Sequence, residues 1–328
     1  MKLLNKDVKR IGMGCWAIGG PFAAGSESWA YADTNDEQSA RTLHAALDAG
    51  VQVFDTAPAY GAGHSERLLG EALKGKENVF VVTKLGVGIE EKTRQVTGED
   101  THPDNVSVAI ESSLARMQRE HIDVVLLHLN SLAVDKADKL FDQMEQAVTA
   151  GKVGAIGWST DYPASVQHMA GRESCQFIEH GMNILMDVPT IQATARQNKL
   201  TAFIRSPLAM GVLTGKYGPG SVMSKDDIRS TGAQWMEYFN NGKPSQDYLA
   251  SLDALRELLK SDGRTLVQGV LGWLLAKAEF NIPVPGARTP DQVIENAGAI
   301  EYGPLSANVM EEIEALITRP PEGEPRDR

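Results

Sequence analysis

Four residues of this chain could together move a proton: Asp55, Tyr60, Lys84 and His128. A phenol is a poor acid in water, but an ammonium group beside it favours the phenolate and makes the proton easier to release. Lys84 can be that cation, which predicts a Tyr60 phenol drawn down towards the working pH, and Asp55 can hold and neutralise the lysine. His128 can donate a hydrogen bond to the oxygen that receives the Tyr60 proton and so orient it. The chemistry this set suits is polarisation of a carbonyl that is about to accept a hydride. Taken singly, each residue also has an ordinary reading: Asp55 as a turn cap, Tyr60 as a loop aromatic, Lys84 as a solvated strand end, His128 as a core histidine behind an apolar strand. Whether they act as a set depends on a fold that brings them to one place.

The elements around them alternate. Short apolar runs at 10–14, 51–55, 79–83, 123–127, 155–158, 176–179, 201–204 and 281–284 read as buried parallel strands. Amphipathic helical stretches lie between them, such as 37–49, 65–74, 103–120, 136–150 and 247–261. Asp36, Ser65 and Thr289 are candidate N-caps, Pro290 suits a first helical position, and Gly50 and Gly151 suit helix ends. A doubly wound sheet would show the same alternation, but eight units without a break favour a closed α/β fold. The expected architecture is a (β/α)8 barrel with a short N-terminal hairpin and long loops, 85–102 and 217–246, at its C-terminal rim, where reactive groups of such barrels gather. Residues 1–317 are expected to form this single domain and 318–328, rich in proline and charge, a flexible tail.

With 42% hydrophobic and 23% charged residues among 328, the chain has the make-up of a soluble globular protein with a sizeable core. A formal net charge of -11 argues against nucleic acid as a partner. Cys15 and Cys175 sit in no CxxC or Cys/His cluster, so neither a disulfide framework nor a bound metal is expected, and a cytoplasmic setting follows as the default. No stretch reads as a signal peptide or a membrane span. Oligomeric state is not written in these features.

Phe54-Asp55-Thr56-Ala57-Pro58-Ala59-Tyr60-Gly61 with Gly63-His64-Ser65-Glu66, then Val82-Thr83-Lys84, then 123–128, stand in the order and spacing of the aldo-keto reductases, and the chain resembles that family over nearly its whole length. The resemblance implies a barrel without a Rossmann domain, with cofactor extended across the rim and a catalytic tetrad of Asp55, Tyr60, Lys84 and His128. Two further clusters suit a phosphate-bearing cofactor. Residues 206–216 supply glycines for close backbone approach and a lysine for phosphate charge; in the family this segment resembles a pyrophosphate clamp, which assigns Ser206, Pro207, Leu208, Gly211, Leu213 and Lys216 to the cofactor. Residues 285–296 put an arginine before a helix N-terminus, a ready anion site. There Gly286, Arg288 and Gln292 resemble the pocket for an adenosine 2′-phosphate, with Glu295 and Asn296 near the base, so NADPH/NADP+ is expected over NADH. Trp16 is expected at the same rim beside cofactor and carbonyl, where with Trp158 and the loop of Trp235 it predicts an apolar wall; it can equally be a core aromatic.

Three positions depart from the family pattern. After the fifth strand Ser159-Thr160 stands where Ser-Asn is usual, leaving Ser159 as the residue for the nicotinamide carboxamide. After the sixth, Glu179 and Met182 stand where glutamine and a ring-stacking tyrosine are expected, an ionised carboxylate being an acceptor only. Arg205 could pair with Glu179 or meet an acidic substrate. The function these features suit is reversible, NADPH-dependent reduction of a small aldehyde or ketone, or oxidation of the matching alcohol or sugar. A non-catalytic NADP-binding regulatory subunit is the alternative, and an unrelated barrel lyase or isomerase would leave the Arg288 cluster without a purpose.

Overall fold

A computed structural model describes residues 1–233, 235–319 and 321–322. Eight parallel strands form one sheet in chain order: β1 Met13–Gly14, β2 Val53–Asp55, β3 Phe80–Leu85, β4 Ile122–Leu127, β5 Val153–Ser159, β6 Cys175–Gly181, β7 Thr201–Arg205 and β8 Asn281–Pro283. The sheet closes on itself. Gly14 bridges Gly286 in parallel, and the Gly12 and Gly14 amides donate to the Pro283 and Pro285 carbonyls at 2.9 and 3.1 Å. Around the barrel run α1 Asp36–Asp48, α2 His64–Ala72, α3 Asn105–Met117, α4 Val134–Thr149, α5 Pro163–Met169, α6 Pro189–Gln197, α7 Gln246–Leu259, α8 Leu266–Lys277, α9 Pro290–Tyr302 and α10 Ala307–Leu316. This is the (β/α)8 barrel that the alternation of short apolar runs predicts.

Because side chains alternate across a strand, each strand is apolar on both faces. Val53, Phe80, Val82, Val124, Leu126, Ala155, Phe177, Phe203, Ile282 and Val284 fill the interior, while Phe54, Val81, Val125, Ile156, Ile178 and Ile204 pack outward under the helices. Phe177 and Phe203 stack at 5.5 Å with Phe80 tilted against both, so the barrel is a packed core and not a pore. The hairpin Lys2–Leu3 and Lys6–Asp7 stoppers the N-terminal end: Leu3 and Val8 join the interior cluster, and Lys6 pairs with buried Asp123 at 2.6 Å. Only the C-terminal rim is left for a site.

One irregularity matters for that rim. Between β5 and β6 the register steps from Ile156 opposite Cys175 to Gly157 opposite Phe177, a bulge that sets Ser159 opposite Glu179. A Cβ on Gly157 would lie 1.9 Å from the Phe177 carbonyl oxygen, so only glycine lets the two backbones meet there.

The structure also corrects several local expectations. The long βα connection 85–102 is not irregular throughout: Val87–Glu90 and Gln95–Glu99 form a hairpin that pairs with Ala23–Ala24 and, beyond it, Glu27–Ser28 in a four-stranded sheet over the rim. Ser65 does not cap α2, whose N-cap is Gly63; its hydroxyl instead donates to the Cys15 carbonyl and meets Thr56 Oγ1. Asn35, not Asp36, caps α1, whereas Thr289 caps α9 with Pro290 first in the helix. In the segment expected as a tail, Arg319 donates to the Ile184 carbonyl and pairs with Glu314, and Glu322 accepts from the Thr190 amide; Pro320 and 323–328 lie outside the described residues. Among the described residues no helix is long and apolar enough to cross a membrane.

Candidate active site

Asp55, Lys84, Ser159, Glu179 and Arg205 share the interior parity of their strands, two residues on from Val53, Val82, Gly157, Phe177 and Phe203. Each therefore points inward at the last rung before the rim, and His128 follows β4 with the same parity. Behind them the β2 to α2 connection is braced from two sides. Ser65 ties it to β1, while buried Glu66 accepts from Thr83 of β3 at 2.6 Å and pairs with Arg116 of α3 at 2.5 Å. Gly61 (φ 66°) lets the chain after Tyr60 pass the Gly19 carbonyl, which a Cβ would approach to 1.9 Å. These constraints hold the Tyr60 backbone against the mouth of the barrel.

There Lys84 Nζ donates to Asp55 Oδ1 at 2.5 Å, to the Thr56 carbonyl at 3.1 Å and to the Tyr60 hydroxyl at 3.4 Å, and lies 5.1 Å from the Tyr60 ring centre. Glu179 Oε2 is a fourth neighbour at 3.2 Å, and Glu179 Oε1 accepts from Ser159 Oγ at 3.2 Å. The His128 ring stands edge-on to Tyr60 at 6.1 Å. Trp16 stacks on the other side at 5.9 Å and 13°, in contact with Tyr31 and Trp235. Trp16 thus sits at the rim. Trp158 does not: sharing the outward parity of Ile156, it is fully buried against Phe141 of α4 and donates to the Leu129 carbonyl. Its expected place in the pocket wall is taken by Trp29 and Phe22, packed with Trp16 and Tyr60.

The electrostatics differ from expectation at Tyr60. Burial raises its phenol above the usual value; Lys84 pulls it down, but Asp55 and Glu179 push it up, and the net shift is upward rather than towards neutrality. Burial also lowers the Lys84 ammonium, but Asp55 and Glu179 outweigh this and hold it firmly charged. Burial, reinforced by Lys84, pushes His128 down to about 3, so its ring is neutral. Arg205 does not pair with Glu179. It pairs with Asp161 at 2.5 Å, beyond the end of β5. Met182 is fully buried in the outer core and has no surface with which to cover a ring at the rim.

The two expected phosphate segments follow β7 and β8. Ser206, Ala209, Met210 and Gly211 all have left-handed φ, so the chain there coils tightly; Pro207, Leu208 and Leu213 are buried, Gly211 half-buried and Lys216 exposed. Beyond β8, exposed Gly286 is bridged to Gly14, the Arg288 amide donates to Gln292 Oε1, and Arg288 Nη1 donates to the Ala32 carbonyl at 2.6 Å. Asn296 is buried in α9 and Glu295 half-buried. A buried pair that the sequence reading missed joins the two segments. Arg229 pairs with Asp227 at 2.6 Å and reaches the Met210 carbonyl, while Asp227 accepts from the Ala32 amide. Nothing in the spacing of the long loop announces this pair.

Residues 10–318 match the model of the Aldo/keto reductase family. The chain belongs to that family. This aldo/keto reductase is an oxidoreductase and is similar to aldo-keto reductase YhdN of Bacillus subtilis, 29% identical over 321 residues that cover 95% of this chain and 90% of that one. It is 25% identical to the Schizosaccharomyces pombe protein named aldo-keto reductase yakc [NADP(+)], covering 96% and 90%. Among solved structures, the glycerol dehydrogenase AKR11B4 from Gluconobacter oxydans superimposes with a TM-score of 0.79 at 28% identity, covering 96% of this chain and 93% of that one.

Proposed function

We propose that this aldo/keto reductase interconverts a small aldehyde or ketone and its alcohol with NADPH/NADP+, Tyr60 giving the proton in the reductive direction. The observation that carries the proposal is the unbroken chain Asp55, Lys84, Tyr60 at the open end of a sealed barrel, with His128 at the ring edge. A neutral His128 can donate to the substrate oxygen without competing for its proton. Lys84, kept cationic, stabilises the phenolate left on Tyr60 after transfer, and an upward-shifted phenol keeps the acid protonated at neutral pH. Trp16, Trp29 and Tyr31 make the approach to that oxygen apolar, which excludes water and strengthens these contacts.

The residues present suit a dinucleotide. Arg288 beside the N-terminus of α9 offers a planar cation and the positive end of the helix dipole to an adenosine 2′-phosphate, with Gln292 against its backbone. The left-handed run at 206–211 lets backbone approach a pyrophosphate closely, Lys216 adds charge, and Ser159 and Glu179 can hold a carboxamide. When bound, the dihydronicotinamide supplies the hydride. Two relatives support the assignment: one is named for NADP(+), and another is a glycerol dehydrogenase.

The test is NADPH oxidation against a panel of aldehydes, ketones and keto-sugars, with a binding titration alongside. Turnover with NADPH is expected, and Tyr60→Phe should keep NADPH binding while kcat falls by about 100-fold or more. Tight NADPH binding without turnover in the wild type would favour the regulatory alternative; near-normal Tyr60→Phe rates would remove Tyr60 as the acid.

A further inference from the structure

At the barrel mouth two buried carboxyls face one lysine. Lys84 and Arg205 are the cations; Asp55, Glu179 and Asp161 are the carboxyls that face them. Among the described residues, the neighbouring His128, His180, Cys15 and Tyr60 carry no charge. Burial holds His128 and, with it, His180 (down to about 4) in the neutral ring form, and burial keeps the Cys15 thiol and the Tyr60 phenol protonated. If both carboxyls against Lys84 were ionised, two buried negative charges would face one lysine. Arg205 pairs with Asp161, and the carboxyls nearest Lys84 are Asp55 and Glu179, whose side chains are 5% and 1% exposed around a fully buried Lys84. A charge buried without a partner is expensive, and a carboxyl in that position takes up a proton.

Hydrogen-bond supply leads to the same place. Lys84 has three N–H bonds, which go to Asp55 Oδ1, the Thr56 carbonyl and the Tyr60 hydroxyl. Glu179 Oε1 is served by Ser159 Oγ, but Glu179 Oε2, though 3.2 Å from Nζ, lies outside hydrogen-bond geometry and has no donor. Asp55 and Glu179 both lie against Lys84 Nζ, at 2.5 and 3.2 Å, and two carboxyls gathered on one ammonium can hydrogen-bond to each other only through a proton.

We propose that Asp55 and Glu179 form one carboxyl pair holding a single proton between them, so that Lys84 faces one unit of negative charge and not two. Burial and the neighbouring Glu179 hold Asp55 well above the usual carboxylate range despite Lys84. Burial alone would raise Glu179 as well, but Lys84 and Arg205 outweigh it and hold it below, which puts the proton on Asp55. Glu179 is then a positioning residue. Its consequence for catalysis rests on Tyr60 being the acid: a second full negative charge beside Lys84 would disfavour the phenolate that proton transfer creates.

Infrared spectroscopy of the full chain in D2O at neutral pH, without cofactor or substrate, reads the shared proton directly as the carbonyl stretch of a buried carboxylic acid. The other buried acids, Glu66, Asp123 and Asp227, are each paired with an arginine or lysine and are not expected to contribute. The band is expected in the wild type and lost in both Glu179→Gln and Asp55→Asn, because the carboxyl that remains ionises against Lys84. A wild type lacking the band, or a band that survives in either variant, overturns the proposal. Should Asp55→Asn fail to fold, the near-isosteric Glu179→Gln decides alone. The spectrum involves no turnover, so its outcome is independent of whether Tyr60 is the acid.

Discussion

Replacing Lys84 with methionine keeps the side-chain volume and removes the one cation between two buried carboxyls. Breaking a buried pair from one side costs about 3–5 kcal/mol, because the partner charge is left without compensation. The cost should depend on pH in a definite direction. Lys84 lowers both Asp55 and Glu179 in the wild type, so without it burial and mutual repulsion hold both above the unfolded value near about 4. A carboxyl raised in the folded state binds its proton more tightly there than in the unfolded chain. Its contribution is therefore fully present below about pH 4 and is lost as pH rises through the folded value. Lys84 itself is raised, so the stability it lends is constant throughout the neutral range and is lost only at strongly alkaline pH. The stability gap between wild type and Lys84→Met should thus widen from pH 5 to pH 8. In urea unfolding followed by tryptophan fluorescence, with a slope of about 3 kcal/mol per M, the midpoint should drop by about 1 M or more at pH 8 and by clearly less at pH 5. A gap of equal size at both pH values would refute the electrostatic reasoning and leave only a packing defect.

Three further outcomes are expected. Arg288→Ala should raise the KM for NADPH by about 10- to 100-fold and leave that for NADH nearly unchanged, as loss of a charge-assisted phosphate contact would; equal effects on both cofactors would count against a 2′-phosphate site. Trp158→Ala should cost about 3–5 kcal/mol in unfolding experiments without reordering the carbonyl panel, whereas Trp16→Ala should reorder it, since only Trp16 lies against Tyr60; the reverse pattern would mean the two rings have been assigned to the wrong faces. Gly157→Ala should cost about 3 kcal/mol or more, or prevent soluble expression, because its Cβ would meet the β6 backbone, and a stable, active variant would show that the bulge is dispensable.

Much of this was legible in strand parity. Counting in steps of two from Val53, Val82, Phe177 and Phe203 reaches Asp55, Lys84, Glu179 and Arg205, so their common inward direction is present in the sequence once those strands are recognised. The same count turns Trp158 outward with Ile156, a signal the expectation of an aromatic wall passed over. Helix α8 was harder to see. It is apolar nearly all round because it is buried between α7, α9 and α10, and so lacks the two-sided pattern that marked its neighbours. The hairpin at 87–99 was hidden for the opposite reason: its strands are mostly half-exposed or exposed and carry glycine and charge, and they are held by pairing with each other and, through Gln95–Val96, with Ala23–Ala24.

The residue order alone determined that eight apolar runs would alternate with helices and that the acids, the lysine, the tyrosine and the histidine would fall at strand ends, because periodicity and turn chemistry are local properties. Tertiary structure decided what is near what. It placed Glu179 and Asp55 about one lysine, drew Arg205 to Asp161, and surrounded the Tyr60 hydroxyl closely enough that burial outweighs the pull of Lys84. Charge interactions and desolvation depend on distances of a few ångströms between residues far apart in the chain, and those distances exist only once the barrel has closed.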